Sequence, residues 1–212
     1  MLVNTGTSAV SYSQLFFDPT GTPQSFAVQA QQGAPLSTAS AIVATVAASS
    51  TVSFVLPDSD SPTPKRGWSL LTYDSKQGTL TGYAILRHKA ANGAFSFEAV
   101  LPVSNMQDYS SYMPFDNTHG FRTEMTLVNP AANLGAPIAL RFLNSDGNVL
   151  FVDSITLQPG EQTTLSLPDT YPDLANKVGA VVIMGGTNRL SVTGIRYDPT
   201  FGAIAAVPWF AR

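Results

Sequence analysis

The residues best able to do chemistry lie near the middle of the chain. Asp116, His119 and Glu124 fall within one short stretch, and carboxylate and imidazole groups are ligands that divalent metal ions accept. A metal site needs about three or four converging ligands, so His88 is a further candidate if the two halves of the chain fold together. One hypothesis is therefore a metal-dependent hydrolase with a divalent metal as cofactor. The other is that His119 is a loop residue, His88 is a surface residue, and no cofactor or metal is bound.

Aromatic side chains offer a second kind of chemistry, because exposed rings stack on sugar faces and anchor interfaces. Tyr83, Tyr112 and Trp209 are the first candidates for ligand binding. Trp209 and Phe210 are adjacent, so on a strand they point to opposite faces. One of the two is expected to lie outside its own core, against the other half of the chain or a ligand.

Composition argues against several other functions. Charged residues make up 12% of the 212 residues, the formal net charge is −3, and no basic run occurs, so a nucleic-acid partner is not expected. The chain has no cysteine, which removes disulfides, thiol catalysis and thiolate metal sites. Neither a G-x-S-x-G elbow nor a phosphate-binding glycine loop with lysine occurs, so no catalytic residue is assigned.

The sequence also bears on location. It contains no apolar segment long enough to span a bilayer, and it does not open with a charged region followed by an apolar one. Ser, Thr, Gly, Pro and Ala are abundant and charges are few, which is typical of exported bacterial modules. We therefore expect an extracellular or cell-surface protein whose export signal lies outside this sequence, and no membrane span.

Short segments of alternating apolar and polar residues, rather than amphipathic helices, must position these candidates. The predicted strands are Val10–Phe17, Thr51–Leu56, Trp68–Thr72, Leu80–His88 and Phe95–Leu101 in the first half, and Arg122–Val128, Pro137–Leu143, Val149–Leu157, Gln162–Leu167, Gly179–Met184, Leu190–Tyr197 and Ala203–Phe210 in the second. Ala41–Ala48 fits a strand or a short helix. Gln29–Ser40, rich in Gln, Gly, Pro and Ser, is predicted to be an inserted loop.

The second half of the chain repeats landmarks of the first in the same order. The matches pair Leu2–Asn4 with Leu127–Asn129, Leu15–Gly21 with Leu140–Gly147, Val52–Asp58 with Thr163–Asp169, and Leu86-Arg87 with Ile195-Arg196. The period is the size of a domain and exceeds that of solenoid repeats. We therefore predict two tandem domains, residues 1–111 and 112–212, with Tyr112–Pro130 as the hinge between them.

The second half shows the pattern of a sheet with one wet face. Ile138, Leu140 and Phe142 would face the core, whereas Ala139 and Arg141 would face out. Seven short strands in about a hundred residues are typical of an immunoglobulin-like or fibronectin-III-like sandwich. The predicted fold is therefore all-β, with two tandem Ig-like β-sandwiches related by internal duplication.

Several motifs carry a family resemblance. They are Leu127-Val128-Asn129-Pro130, Ala139-Leu140-Arg141-Phe142, Asp146-Gly147, and Leu157-Gln158-Pro159-Gly160 before Thr163-Thr164-Leu165. This pattern resembles the bacterial Ig-like, fibronectin-III-like tandem repeat modules of exported multidomain proteins. It covers the second half well and the first half only in part, because Leu-x-Pro-Gly is missing there. The resemblance implies a sandwich fold and a role in adhesion, spacing or carbohydrate association.

The two halves differ at their first strand. Gly120–Thr126 precedes Leu127, whereas the first half begins almost at Leu2, so most of its first strand is missing. A sheet left incomplete exposes an edge that another chain can pair with. The expected partners are neighbouring domains of a longer chain or a second copy through this incomplete first sheet.

These observations favour a non-catalytic exported module for adhesion, spacing or surface recognition. Recognition of a polysaccharide is the sharper form of this hypothesis, with Tyr83, Tyr112 and Trp209 as the ligand-binding residues. The alternative is the metal-dependent hydrolase, with Asp116, His119 and Glu124 at the hinge. Arg196 and its predicted counterpart Arg87 are expected to hold backbone carbonyls or a carboxylate rather than a substrate.

Overall fold

Antiparallel strands dominate this protein. The computed structural model of the chain describes residues 1–30, 35–57, 65–76, 78–89, 95–103, 110–186, 189–198, 200 and 202–211. The helical elements among these residues are short: α1 (Leu167–Thr170) and 3₁₀ turns at Thr118–Gly120 and Pro172–Leu174. No helix in these ranges has the length and apolar character needed to cross a membrane. The predicted all-β class is confirmed.

The predicted strands are present, although Thr51–Leu56 and Ala203–Phe210 each form two short strands, and Ala41–Ala48 contains a strand rather than a helix. The strands are β1 (Leu2–Asn4), β2 (Val10–Phe17), β3 (Phe26–Ala30), β4 (Pro35–Ala39), β5 (Ala41–Val46), β6 (Thr51–Val52), β7 (Phe54–Val55), β8 (Trp68–Tyr73), β9 (Leu80–Lys89), β10 (Phe95–Pro102), β11 (Ser110–Asp116), β12 (Arg122–Val128), β13 (Ala136–Asn144), β14 (Val149–Leu157), β15 (Gln162–Ser166), β16 (Val178–Met184), β17 (Ser191–Asp198), β18 (Ala203–Val207) and β19 (Phe210–Ala211).

One segment predicted as a loop contains strands instead. β3 and β4 occupy much of Gln29–Ser40 and its approach, and they pair antiparallel with Val28 opposite Leu36. β3 also pairs with β7, with Gln29 opposite Val55. Phe26 and Val28 alternate with smaller or polar residues, and Val28 is buried, so the strand signal was present. The prediction of an inserted loop was wrong, because the Gln, Gly, Pro and Ser content of the segment is typical of turns and outweighed the alternation of its apolar residues. Residues 31–34 lie outside the described ranges.

The chain forms two compact units, Met1–Ala84 (unit 1) and Ile85–Arg212 (unit 2). The division falls inside β9. The boundary after residue 111 that the repeat predicts remains a prediction.

Unit 1 is built from small antiparallel sheets. One has the order β5-β2-β8, a second has the order β4-β3-β7, and in a third β1 lies between β6 and β9. Tyr12 and Phe16 share the inward face of β2 and are buried. The apolar core consists of Leu2, Val10, Tyr12, Val46 and Leu80, with partly buried side chains around it.

Unit 2 has two larger sheets that share one apolar core. The five-stranded sheet has the order β14-β13-β16-β11-β19, and the four-stranded sheet has the order β15-β12-β17-β18. Both contribute fully buried side chains to one cluster, the arrangement of a sandwich of two layers. The five-stranded sheet contributes Met113, Phe115, Ile138, Leu140, Phe142, Leu157, Val181 and Ile183, and the four-stranded sheet Met125, Leu127 and Val192. The predicted inward face of Ile138, Leu140 and Phe142 is confirmed.

β11 overlaps the start of the predicted hinge, Tyr112–Pro130. It pairs with β16 along its whole length and with β19 at Ser111 and Tyr112. Met113 and Phe115 face the core, and Ser111, on the same face of β11, is also buried. Pro114 obscured this strand in the sequence. It is tolerated because β19 does not extend beside it, so its missing N–H costs no ladder hydrogen bond on that side.

A buried asparagine makes the same hydrogen bonds in each unit. Asn129 Nδ2 donates to the carbonyls of Leu134, Leu157 and Gln158, and its Oδ1 accepts the N–H of Ala131. Asn4 does the same in unit 1, where the carbonyls belong to Ser8, Val46 and Ala47 and the N–H to Gly6. Both side chains are almost wholly buried. Each asparagine therefore ties the end of its strand to the loop that follows it and to the end of another strand that is distant in sequence.

A hairpin turn also recurs. In unit 1 the Asp18 carboxylate accepts the N–H groups of Thr20 and Thr22, and Gly21 has a positive φ of 85°. In unit 2 the Asn144 side chain accepts the N–H groups of Asp146 and Asn148, and Gly147 has φ 81°. Residues 144–148 therefore form a hairpin turn between β13 and β14.

A glycine stands at the same place beside each hairpin. A Cβ on Gly179 would lie 2.0 Å from Leu143 O, and a Cβ on Gly67 would lie 1.9 Å from Phe17 O. Both distances are far below van der Waals contact. Neither position can hold another residue unless the neighbouring strands move apart.

Strand registers agree as well. Leu2 lies opposite Val52 and Gly82, and Leu127 lies opposite Thr163 and Val192. Counting four residues on from Gly82 and Val192, the residue of β9 that matches Arg196 is Leu86, not Arg87. The sequence match between the two arginines is therefore displaced by one residue.

Candidate functional site

A row of side chains crosses the outer face of the five-stranded sheet of unit 2. Neighbouring strands place Phe210 opposite Tyr112, Tyr112 opposite Val182, Val182 opposite Arg141, and Arg141 opposite Val152. Residues directly opposite on neighbouring strands share a face and lie in contact range. We call these five residues the outer row.

Strand alternation turns the outer row away from the core. Met113 on β11, Val181 and Ile183 on β16, and Phe142 on β13 point into the core cluster, so the residues next to them along each strand point out. Val182 is nevertheless only 4% exposed. It lies between Tyr112 and Arg141 in the register, and both of these residues carry long side chains.

The two ends of the outer row are open to solvent. Phe210 is 57% exposed and Val152 is 61% exposed. Arg141 is exposed and Tyr112 is half-buried. The row therefore combines an accessible aromatic ring, a second ring beside it and a guanidinium group on one side of a sheet.

A shallow depression adjoins Tyr112. It has a volume of about 400 Å³, and the hairpin turn and the start of β16 form its walls. Its lining residues are Tyr112, Leu143, Asn144, Ser145, Gly147, Val178, Gly179 and Ala180. The absence of a side chain on Gly147 leaves space here. The depression is open rather than enclosed, so an extended ligand could lie across it.

The three predicted aromatic candidates fall in different places. Tyr112 lies in the outer row. Trp209 packs against the core cluster of unit 2, and Tyr83 is a half-buried residue of β9 in unit 1. Since Trp209 packs inward and Phe210 is exposed, one of this pair lies outside its own core, as predicted. Its contact with the other half of the chain or with a ligand remains a prediction.

Asp116 is fully engaged by its neighbours. Its Oδ1 accepts the Thr118 N–H and hydroxyl, at 3.0 and 2.6 Å, and its Oδ2 forms an ion pair with Arg196 at 2.6 Å. Burial would raise the pKa of Asp116, but the Thr118 hydrogen bonds and the Arg196 charge outweigh it and hold the pKa below its ordinary value. Arg196 also stacks on the Phe121 ring, 3.6 Å from its centroid. The prediction that Arg196 holds a carboxylate is confirmed.

Asp116, His119 and Glu124 do not form a metal-binding group. His119 is exposed, and its Nδ1 lies 3.0 Å from the Thr118 hydroxyl. Within the described ranges, no three His, Cys, Asp or Glu side chains are grouped so that they could hold a metal ion. The side chains of His88 and Arg87 lie outside the described residues. The geometry gives the hydrolase hypothesis no support.

Comparison with protein-family models, with curated proteins and with solved structures finds no match to this chain. Function must therefore be inferred from the site itself. Sequence reasoning identified Tyr112 but missed Arg141 and Val182 as its neighbours, since cross-strand neighbours depend on the register between strands that are distant in sequence. The alternation of Phe142 with Arg141 was the signal that Arg141 faces out.

Proposed function

We propose that this protein is a non-catalytic recognition module that binds a polysaccharide on the outer face of the five-stranded sheet. The observation that carries this proposal is the outer row, in which Phe210, Tyr112 and Arg141 share one sheet face. Its mechanism is contact rather than bond chemistry. The rings stack on the apolar faces of sugar units, and Arg141 donates hydrogen bonds to their oxygens.

The reactive groups near this face support a structural role. The Asp116 carboxylate accepts two hydrogen bonds from Thr118 and pairs with Arg196, and its lowered pKa keeps it ionised near neutral pH. A carboxylate held in this way is a poor general acid or metal ligand. The Asp116–Arg196 pair therefore stabilises the scaffold, while the ends of the outer row remain accessible.

We infer that units 1 and 2 are Ig-like sandwiches that arose by duplication of one ancestral domain. The matched asparagine networks, hairpin turns, close-contact glycines and strand registers support this inference. Each concerns backbone geometry rather than a reactive group. A tandem of such modules suits adhesion or spacing at a cell surface, in keeping with a chain that has few charges.

Binding to insoluble cellulose and chitin, and to a soluble β-glucan by affinity electrophoresis, tests the proposal. We expect at least one of these polymers to retain the wild-type chain. Tyr112→Ala and Phe210→Ala should each weaken retention by about tenfold, equivalent to about 1.4 kcal/mol. Tyr112→Phe should keep most of the binding, because stacking needs the ring and not the hydroxyl.

Tyr83→Ala is the matched control, because Tyr83 is another half-buried tyrosine on a strand but belongs to unit 1. It should leave retention unchanged. Equal loss from Tyr83→Ala and Tyr112→Ala would show that the outer row is not the binding surface. If no polymer retains the wild-type chain, the polysaccharide proposal is wrong.

A further inference from the structure

β8 of unit 1 and β16 of unit 2 hold matching places but have different numbers of neighbours. β16 lies between β13 and β11, whereas β8 pairs with β2 alone among the described strands. An edge strand presents N–H and C=O groups that can pair with an added strand. Unit 2 shows what covers this edge when the sheet is complete.

The inward side of β8 is open as well. Ser69 lies opposite Phe16, as Val181 lies opposite Phe142, so both face inward. Val181 is fully buried, whereas Ser69 is exposed. Leu71 is only partly buried against the core of unit 1. The edge of the sheet and the flank of the core are therefore exposed at the same strand.

A buried polar atom lies next to this opening. Gln14 occupies the inward position that Leu140 occupies in unit 2. Its Nε2 donates to the Ser69 hydroxyl at 3.1 Å, while its Oε1 is buried and has no hydrogen-bond partner among the described atoms. A buried acceptor without a partner is costly. The flank of the core beside β8 is therefore incompletely hydrogen-bonded at Gln14.

The sequence of this edge does not guard against pairing. Ser69–Tyr73 contains no charged residue and no proline, although exposed edges of natural sheets commonly carry Lys or Pro for this purpose. An uncharged edge beside an open core favours a binding site for a strand.

We propose that the edge of β8 accepts a β-strand from a partner polypeptide, which completes unit 1 as β11 completes unit 2. The occupant runs antiparallel to β8 and has small or apolar side chains at alternate positions, as β11 has at Ser111, Met113 and Phe115. Main-chain hydrogen bonds supply affinity and the alternate side chains supply specificity. This inference rests on the proposed correspondence between the two units.

A labelled peptide with the sequence of residues 110–116 is the probe. Titrated with the full chain and followed by fluorescence anisotropy, it should bind saturably with one peptide per chain. A peptide of the same composition in scrambled order should not bind. A peptide carrying Met113→Lys should also lose binding, because Met113 corresponds to the residue that would lie opposite Ser69. Failure of the unaltered peptide to bind would overturn the proposal.

Ser69→Lys in the chain places a charge where the added strand would pack, and it should weaken peptide binding by about tenfold or more. Ser11→Lys is the matched control, because Ser11 is an exposed serine on the outward face of β2; it should bind as the wild type does. Unchanged binding by a folded Ser69→Lys chain would contradict the proposal. If that variant does not fold, the Met113→Lys peptide tests the same contact.

The oligomeric state of the chain distinguishes a second occupant. If the chain alone forms a dimer and Ser69→Lys makes it monomeric, the occupant is a second copy of the chain, and the proposal of a different partner polypeptide is wrong. Retention on polysaccharide should not change in Ser69→Lys, so this proposal and the proposed function fail separately.

Discussion

Unit 1 and unit 2 share a scaffold but differ in what surrounds it. Both keep a buried asparagine at the end of a strand, a hairpin turn closed by a glycine with positive φ, and a glycine pressed against a carbonyl. The outer row and the Asp116–Arg196 ion pair belong to unit 2. The features common to the two units therefore define the fold, and those found in one of them are where a specific function can lie.

The β11 position separates the two units most clearly. In unit 2 this strand carries Tyr112 outward and Met113 inward, so it contributes to the candidate site and to the core. Unit 1 has no described strand at that place, and its buried cluster is correspondingly smaller. One strand thus links the completeness of the core to the presence of a recognition surface.

The largest effect is expected from the paired glycines. Gly179→Ala would put a Cβ 2.0 Å from Leu143 O, and Gly67→Ala would put one 1.9 Å from Phe17 O. Because backbone cannot yield as a side chain tip can, each substitution should lower the free energy of unfolding by about 3 kcal/mol or more. Urea denaturation followed by circular dichroism measures both.

Gly135→Ala is the control for the glycine pair, because its Cβ would meet nothing closer than Leu157 O at 3.6 Å. It should change stability by less than about 0.5 kcal/mol. Similar large losses at Gly67 and Gly179 would strengthen the correspondence between the units. A Gly67→Ala chain as stable as Gly135→Ala would break it.

The next largest effect is expected from the buried asparagines. Asn129→Ala removes the donors to Leu134, Leu157 and Gln158 and leaves buried carbonyls without partners. The expected cost is about 2 to 4 kcal/mol. Asn4→Ala should cost a similar amount in unit 1, since its network is the same. Thermal and urea unfolding of the two variants test this.

Two further variants refine the asparagine comparison. Asn129→Asp keeps the acceptor for Ala131 N–H but loses the donors, so it should remain destabilising. Asn148→Ala alters an exposed asparagine of the hairpin turn and should cost less than about 0.5 kcal/mol. If Asn129→Ala is no worse than Asn148→Ala, the buried network does not stabilise the fold as its geometry indicates.

Sequence alternation predicted most strands because it reports directly on which face is buried. Ile138, Leu140 and Phe142 illustrate this, since each is fully buried while Arg141 between them is exposed. The recurrence of Leu-Val-Asn marked matching strands. It did not reveal the role of the asparagine, because the carbonyls that Asn129 binds come from residues up to 29 positions away.

The candidate site was less accessible to sequence reasoning. Tyr112 could be selected as an aromatic residue, but the outer row depends on five strands whose order, β14-β13-β16-β11-β19, does not follow the chain. β11 was not predicted as a strand, because Pro114 interrupts its strand pattern and the segment lies between the two repeats. The metal hypothesis rested on the short distance in sequence between Asp116, His119 and Glu124. In the structure the Asp116 carboxylate pairs instead with Arg196, 80 residues later.

The smallest effect concerns the ion pair between Asp116 and Arg196 on β17. At the matching place on β9 the residue is Leu86. Asp116→Asn should cost less than about 1 kcal/mol at pH 7, because about a third of each side chain is exposed to solvent. The folded pKa of Asp116 is below its ordinary value, so its contribution is present above the unfolded pKa of about 3.9 and is lost as the pH falls through the folded pKa. The stability difference between wild type and Asp116→Asn, measured by urea unfolding, should therefore shrink from pH 7 to pH 3.

Asp146→Asn, at an exposed position of the hairpin turn, is the control and should show no such change. A difference that stays constant or grows on acidification would mean that the charge of Asp116 does not stabilise this end of unit 2, and the contrast with Leu86 would then lie in packing against Phe121 alone.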